Sequence, residues 1–279
     1  MPEKKIFVTK MSGEMAEFDE QKLRNSLMRS GAAEKEVETI IDQVNASLFE
    51  GMSTRAIYKI AFSLLRKKSR PAASRYKLKK AIFELGPTGF PFEKYIGELM
   101  KFQGYKISVG NIIAGNCVNH EVDILAELED SYFMVECKFH HEQGQFCSVK
   151  IPLYIQARFT DIIANWLKQT GDGEKKHRGG LVTNTRFSAD ALAYGECMGL
   201  LMISWDYPAN NSLRHNIDKY KLYPVTSLMS ITNHEKKSLL EKGIILSKSI
   251  IGQEQILTEL NISEERISRI IREAKILCE

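Results

Sequence analysis

The stretch Glu-Val-Asp-Ile-Leu-Ala-Glu-Leu-Glu-Asp-Ser-Tyr-Phe-Met-Val-Glu-Cys-Lys-Phe, residues 121–139, constrains the fold more than any other part of the chain. It alternates apolar and polar residues over two runs, and residues two apart in an extended strand share one side of a sheet. On the first run Val122, Ile124, Ala126 and Leu128 form one side, with Glu121, Asp123 and Glu127 opposite. On the second, Phe133, Val135, Cys137 and Phe139 face one way, and Met134, Glu136 and Lys138 the other. The pattern predicts a hairpin. With Asp130-Ser131 as a two-residue loop, Asp123 falls opposite Lys138, and Glu136 lies diagonal to it at roughly 7 Å. A slip of one residue would turn the apolar set to the wrong face.

Two carboxylates at close range repel, and each desolvated charge is costly unless something compensates it. A divalent cation does so, and oxygen ligands suit Mg²⁺, with Mn²⁺ as an alternative. A lysine beside such an ion can orient a water and stabilise charge developing on phosphorus. Asp123, Glu136 and Lys138 are therefore the expected catalytic group. The plainer reading of the same residues is a solvated strand face with alternating charges.

Flanking segments predict an α/β sandwich. Ile107–Ala114 is an opening strand, preceded by a helix ending at Gly104. Residues 152–169 space Ile155, Phe159, Ile162, Ile163 and Trp166 as on a helix. Gly180–Asn184 and Leu200–Trp205 are short apolar runs fitting buried strands, joined by a helix that Ser188 caps. Gly171–Gly180 reads as a loop within reach of substrate.

The Val122-Asp123 … Glu136-Cys137-Lys138 pattern resembles the PD-(D/E)XK core of restriction-endonuclease-like nucleases, in the Mrr-type and junction-resolvase-type branch, over roughly residues 88–206. Val122 stands where the motif has its proline. The resemblance implies an α/β/α nuclease core with a metal held by Asp123, Glu136 and the backbone carbonyl of Cys137, and with Lys138 acting on the attacking water. It also implies Glu93, on the helix before the first core strand, and Gln156, on the helix after the lysine strand, with Arg158 or Asp161 as rivals to Gln156.

The first 87 residues form a different, mostly helical unit. Asp19, Ser53 and Pro71 open helices, Gly31 and Gly51 close them, and Gly86-Pro87-Thr88-Gly89 marks a boundary. Val8-Thr9-Lys10, Gly13, Phe18, Lys22-Leu23, Thr54, Tyr58 and Ala72-Ala73-Ser74-Arg75-Tyr76 resemble an ATP-cone, a nucleotide-sensing module. That resemblance implies an ATP or dATP site drawn from Val8, Lys10, Lys22, Thr54, Tyr58 and Arg75. Lys10, Lys22 and Arg75 would meet phosphates, while Thr54 and Tyr58 would lie near the base or ribose. Met11 and Ser12 depart from the family pattern, which has arginine and aspartate there.

Between Arg66 and Lys80 lie eight Lys/Arg and no acid, a solvated face or a DNA phosphate contact. From Pro224 onward the apolar spacing predicts short helices, the last opened by Ser263. Ile-Ser-Arg-Ile-Ile-Arg-Glu-Ala resembles helix-hairpin-helix tails, although Asn261-Ile262-Ser263 replaces the usual glycine pair. DNA contact and assembly of a homo-oligomer are both open roles for this tail. The expected domains are thus 1–87, 88–223 and 224–279.

With 279 residues, 43% of them hydrophobic, the chain can bury the cores of two or three domains. Five cysteines without a C-x-x-C pair argue against a disulfide framework, and no apolar run approaches a membrane span. With no signal-peptide core at the N-terminus, a reducing cytoplasm is the expected compartment. The formal charge of +4 permits a nucleic-acid partner without requiring one. The combined expectation is a Mg²⁺-dependent DNA endonuclease tuned by ATP or dATP, in restriction, phage defence or DNA repair. Two alternatives stand beside it: a non-catalytic, nucleotide-responsive DNA-binding regulator, and a nuclease selective for branched DNA.

Overall fold

The computed structural model describes residues 5–170 and 176–279. These fall into two compact units. The first comprises Met1–Ala81, Val225–Lys236 and Ser247–Glu279, and the second Ile82–Pro224 and Lys237–Leu246. Of the C-terminal segments expected as one domain, residues 225–236 and 247–279 cluster with the N-terminal helices, and Lys237–Leu246 with the second unit. The Gly86–Gly89 break lies inside the second unit, because Phe83 already packs its ring on Phe139, 6.5 Å between centroids.

The first unit opens with an antiparallel pair, β1 (Phe7–Thr9) and β2 (Met15–Glu17). Helices α1 (Glu20–Arg29), α2 (Glu34–Ser47), α3 (Thr54–Lys68), α4 (Arg70–Tyr76) and α5 (Leu78–Phe83) follow. The expected caps form: Asp19 accepts from the Lys22 N–H, and Ser53 from the Ala56 N–H. Gly31 ends the α1 turn at φ 82°, a left-handed value that favours glycine. Leu27, Val37, Ile40, Ile41, Ala61 and Leu65 face one core at helical spacing.

The second unit is built on α6 (Phe90–Phe102), β3 (Lys106–Ala114), β4 (Asn119–Leu128), β5 (Ser131–Lys138), β6 (Phe146–Cys147), α7 (Lys150–Thr170), β7 (Lys176–Thr183), β8 (Arg186–Phe187), α8 (Ala189–Cys197), β9 (Leu201–Ile203) and α9 (Leu213–Tyr220). Its mixed sheet runs β3-β4-β5-β7-β9. The hairpin-linked β3, β4 and β5 are antiparallel, while β5, β7 and β9 are parallel and connect through α7 and α8, as parallel neighbours require. Gly97 of α6 backs onto Ile107 and Val109. On the other face Ile162 of α7 packs against Met134, and Ile155 against Leu181. Both faces are therefore covered, which is why Met134, on the expected polar side, is buried.

Two expectations need correction. Leu128 pairs with Ser131, so the β4–β5 loop is Glu129-Asp130 rather than Asp130-Ser131. Glu129 takes up the turn in the left-handed region, at φ 52°. The register moves by two residues, which keeps the alternation of faces from Ile124 onward but changes each side chain's neighbour, while Val122, beyond the break at Asp123, packs with Met134 and Ile162 under α7 instead of on the side of Ile124. Of the expected loop Gly171–Gly180, residues 171–175 lie outside the described residues, and Lys176–Gly180 are the first half of β7, paired to Ser131–Val135.

The chain ends in α10 (Asn233–Glu241), α11 (Gln255–Glu259) and α12 (Glu264–Cys278). In the first unit α12 is fastened to α4: Glu273 accepts from the Ser74 hydroxyl and from the N–H groups of Met229 and Ser230.

Candidate functional site

In the second unit, a cleft of about 220 Å³ is lined by Asn119, His120, Glu121, Asp123, Glu136, Tyr154 and Arg158. The last paired residues of the β4–β5 ladder on this side are Ile124 and Val135, so Asp123 and Glu136 are the next residues outward on each strand. Asp123 also interrupts the β3–β4 ladder. Pairing runs from Lys106 to Val109 and from Asn111 to Ala114, skipping Gly110, which bends at φ 70°. The Asp123 carboxylate is then free to turn, and its Oδ2 accepts the Cys137 N–H at 2.7 Å.

The acids in this unit crowd one another. Burial pushes the Asp123 carboxyl up to about 6; Glu136 and Glu121 add to the rise, and the Cys137 N–H and Arg158 oppose it. Glu93, on α6, is pushed up to about 7 by burial and by the charges of Asp123, Glu121 and Glu136. Glu93 thus belongs to the same electrostatic group as the two strand carboxylates.

Lys138 is placed differently from the expectation. The shifted register takes it away from the position opposite Asp123, and its charge is felt at His140 and Cys147. The cation that reaches the acids is Arg158, whose Nη1 donates to Glu136 Oε2 at 2.7 Å. Of the three α7 candidates, Arg158 therefore takes the place expected of Gln156. Gln156 turns its amide nitrogen toward the Thr160 hydroxyl, at 3.4 Å, and its buried Oε1 finds no hydrogen-bond partner among the described residues. Asp161 instead clamps the β3–β4 turn, accepting from the Cys117 N–H at 2.9 Å and pairing with His120 Nε2 at 2.7 Å. Its carboxyl is held down at about 2, first by His120. Arg158 was legible as a rival to Gln156 on the helix after the lysine strand, and Glu121 as a companion of Asp123 on the polar strand face; His120 was marked by no signal beyond its proximity in sequence to Asp123.

The donor set of Asp123, Glu136 and Glu93 is all oxygen and suits a hard cation. Among the described residues, no three His, Cys, Asp or Glu side chains converge as a ready-made metal cage. Cys137, whose carbonyl was expected as a ligand, has its thiol buried and pushed well up by that burial.

In the first unit, β1 runs beside the start of α3. The Thr9 N–H donates to the Met52 carbonyl at 3.0 Å, the Thr9 hydroxyl to the Gly51 carbonyl at 3.1 Å, and Thr9 bridges to Ser53. Val8, Lys10 and Thr54 are thereby gathered at a helix N-terminus, whose free N–H groups and dipole favour anions. Tyr58 lies one turn further along α3 and stacks on Tyr76 at 5.2 Å. Lys10 pairs with Glu14, and Lys22 with Asp19. Arg75 is engaged elsewhere, its Nη2 donating to the Ile276 carbonyl in the last turn of α12.

Among the described residues no helix is long and apolar enough to cross a membrane. Residues 6–82 match the ATP cone domain model, and residues 223–278 match AF1548-like, C-terminal. An uncharacterized protein of Archaeoglobus fulgidus is 28% identical over 181 residues, spanning 64% of this chain and 98% of the relative. The crystal structure of the protein of unknown function AF1548 superposes with a TM-score of 0.56 at 27% identity, covering 68% of this chain and 98% of that one. The chain thus carries an ATP cone domain at its N-terminus and an AF1548-like domain at its C-terminus.

Proposed function

We propose that the protein is a Mg²⁺-dependent DNA endonuclease whose activity is tuned by ATP or dATP at the ATP cone domain. The observation that carries this reading is the acidic cleft: Asp123 and Glu136 border it together, and burial, reinforced by the neighbouring carboxylates, lifts Asp123 to about 6 and Glu93 to about 7. Clustered acids with raised pKa mark a site that awaits positive charge. The pattern Asp123 … Glu136-Cys137-Lys138 and its likeness to PD-(D/E)XK nucleases support the same reading.

In this mechanism Asp123, Glu136 and the Cys137 carbonyl are the groups that would hold the ion. The chemistry that Mg²⁺ would supply there when bound is Lewis acidity. Glu93, poised near neutrality, holds or releases a proton beside the attacking water. Lys138, two residues beyond Glu136 on β5, is the group the motif implies would orient the water, and Arg158 would supply positive charge to the phosphate. Lys10 and the N-terminus of α3, with Thr54 and Tyr58, form the nucleotide receptor.

A plasmid-nicking assay tests the activity. Cleavage is expected with Mg²⁺ and is lost in Asp123→Ala and Glu136→Ala with DNA binding retained; persistent cleavage by both purified variants would falsify the assignment. Calorimetry with ATP tests the effector, since Lys10→Ala should weaken binding. One observation favours a second reading, a non-catalytic nucleotide-responsive DNA-binding regulator: Arg158 is ion-paired with Glu136, one of the two strand carboxylates a metal would need. Wild-type protein that binds DNA yet never nicks it would decide for that reading.

A further inference from the structure

We infer that Tyr154 and Arg158 form a grip for an unpaired nucleotide, so that the preferred substrate presents a single-stranded or splayed base beside the phosphate to be cut. This inference rests on the endonuclease reading and names its substrate class. Tyr154 borders the same cleft as Asp123 and Glu136 and is 62% exposed, an aromatic face offered to solvent at the mouth of an acidic site. One helical turn further along α7, the Arg158 guanidinium lies 5.5 Å from the Tyr154 ring centroid and holds Glu136 at 2.7 Å. The residues around it are otherwise acidic or neutral apart from His120, so Arg158 is the permanent cation among those that line the cleft.

A backbone phosphate entering such a cleft is repelled by Glu121, Asp123 and Glu136 and attracted only where Arg158 stands. The nucleotide that brings this phosphate carries its base toward the rim, where Tyr154 stands. A base inside a duplex has both faces covered by its neighbours, so a tyrosine ring can be used only by a base whose stack is open. With the guanidinium 5.5 Å from the ring centroid, a nucleotide whose base covers the exposed part of the Tyr154 ring would bring its own phosphate toward Arg158. Stacking of this kind tolerates any base, which makes the selection one of DNA structure and not of sequence.

The test uses the full chain without divalent metal, so that binding is read apart from cleavage. The probes are oligonucleotides carrying 2-aminopurine in a single strand, at the fork of a splayed duplex, and within a fully paired duplex. Wild-type protein should quench the first two and leave the third unchanged. Tyr154→Leu keeps an apolar cover over Arg158 but has no ring face; it should weaken single-strand binding about tenfold, or about 1.4 kcal/mol. Tyr154→Phe should bind as wild type does. Equal affinity of wild-type and Tyr154→Leu protein for the single strand, or quenching in the paired duplex, overturns the grip. If Tyr154→Leu loses binding while neither it nor the wild-type protein cleaves with Mg²⁺, the grip stands and the nuclease reading falls. If cleavage occurs but is indifferent to both Tyr154 variants, the reverse holds.

Discussion

The Arg158 guanidinium stands 2.7 Å from the Glu136 carboxylate, so the acidic cleft carries its own counter-charge on the helix that follows β5. Removing that charge leaves Glu136 and Asp123 facing each other uncompensated. Arg158→Met keeps much of the stem and should cost about 1–3 kcal/mol, short of the loss for a fully buried pair. It should also move the Asp123 carboxyl above its present value of about 6, because Arg158 now pulls it down. Carbon-detected NMR titration of Asp123 reads the direction directly.

Asp123 should make the protein less stable as pH rises. Its folded pKa of about 6 exceeds the ordinary 3.8, so the folded chain binds more protons than the unfolded one between those values. Stability is lost as pH climbs through that window. Asp123→Asn removes the charge and can still accept from the Cys137 N–H. The melting temperature at pH 8 should rise by about 1–3 °C after allowance for solvent screening, with no gain at pH 3.5. A variant that melts lower than wild type at pH 8 would refute this. Such a gain would fit a site where function is kept at the expense of stability.

Gly115 sits where a side chain cannot. A Cβ there would overlap the Asp161 carboxylate and come within 2.6 Å of the Val118 carbonyl oxygen. Gly115→Ala should therefore push Asp161 off the Cys117 N–H and His120 and cost about 1–3 kcal/mol in denaturant unfolding. Gly195→Ala meets only the flexible end of Met202 and should cost less.

The fully buried Tyr95 hydroxyl donates to the Leu222 carbonyl at 2.7 Å. Tyr95→Phe leaves that carbonyl without its donor and should lower stability by about 1 kcal/mol in equilibrium unfolding, with little change in the surrounding packing.

In the first unit, Glu273 is the acceptor for three donors, from Ser74, Met229 and Ser230. Glu273→Ala should free α12 from α4, seen as faster amide exchange along α12 and a loss of about 1–3 kcal/mol. Unchanged exchange in α12 would show that apolar contacts from Ile270, Ile271 and Ala274 hold it alone.

Local chemistry made much of this chain legible in advance. The period-two alternation of residues 121–139 identified β4 and β5, because a pleated strand forces it whatever the strand packs against. Asp19, Ser53 and Ser188 announced three helices, since a cap is satisfied within its own turn. The gathering of Val8, Lys10 and Thr54 followed from segments whose likeness to an ATP-cone spanned the whole first domain, where residues 6–82 match that model.

Other features depended on partners distant in sequence. The turn settled on Glu129-Asp130, and that two-residue shift brings Glu136, not Lys138, to the position beside Asp123, while Val122 turned to the α7 side with Met134. Glu136 found its cation on α7, and Arg75, expected at a phosphate, found the Ile276 carbonyl at the far end of the chain. By itself the sequence determined which side chains point together, because backbone periodicity is local. Only the tertiary structure decided which charges touch, because a guanidinium goes to whichever desolvated oxygen the packing of whole helices leaves within its reach.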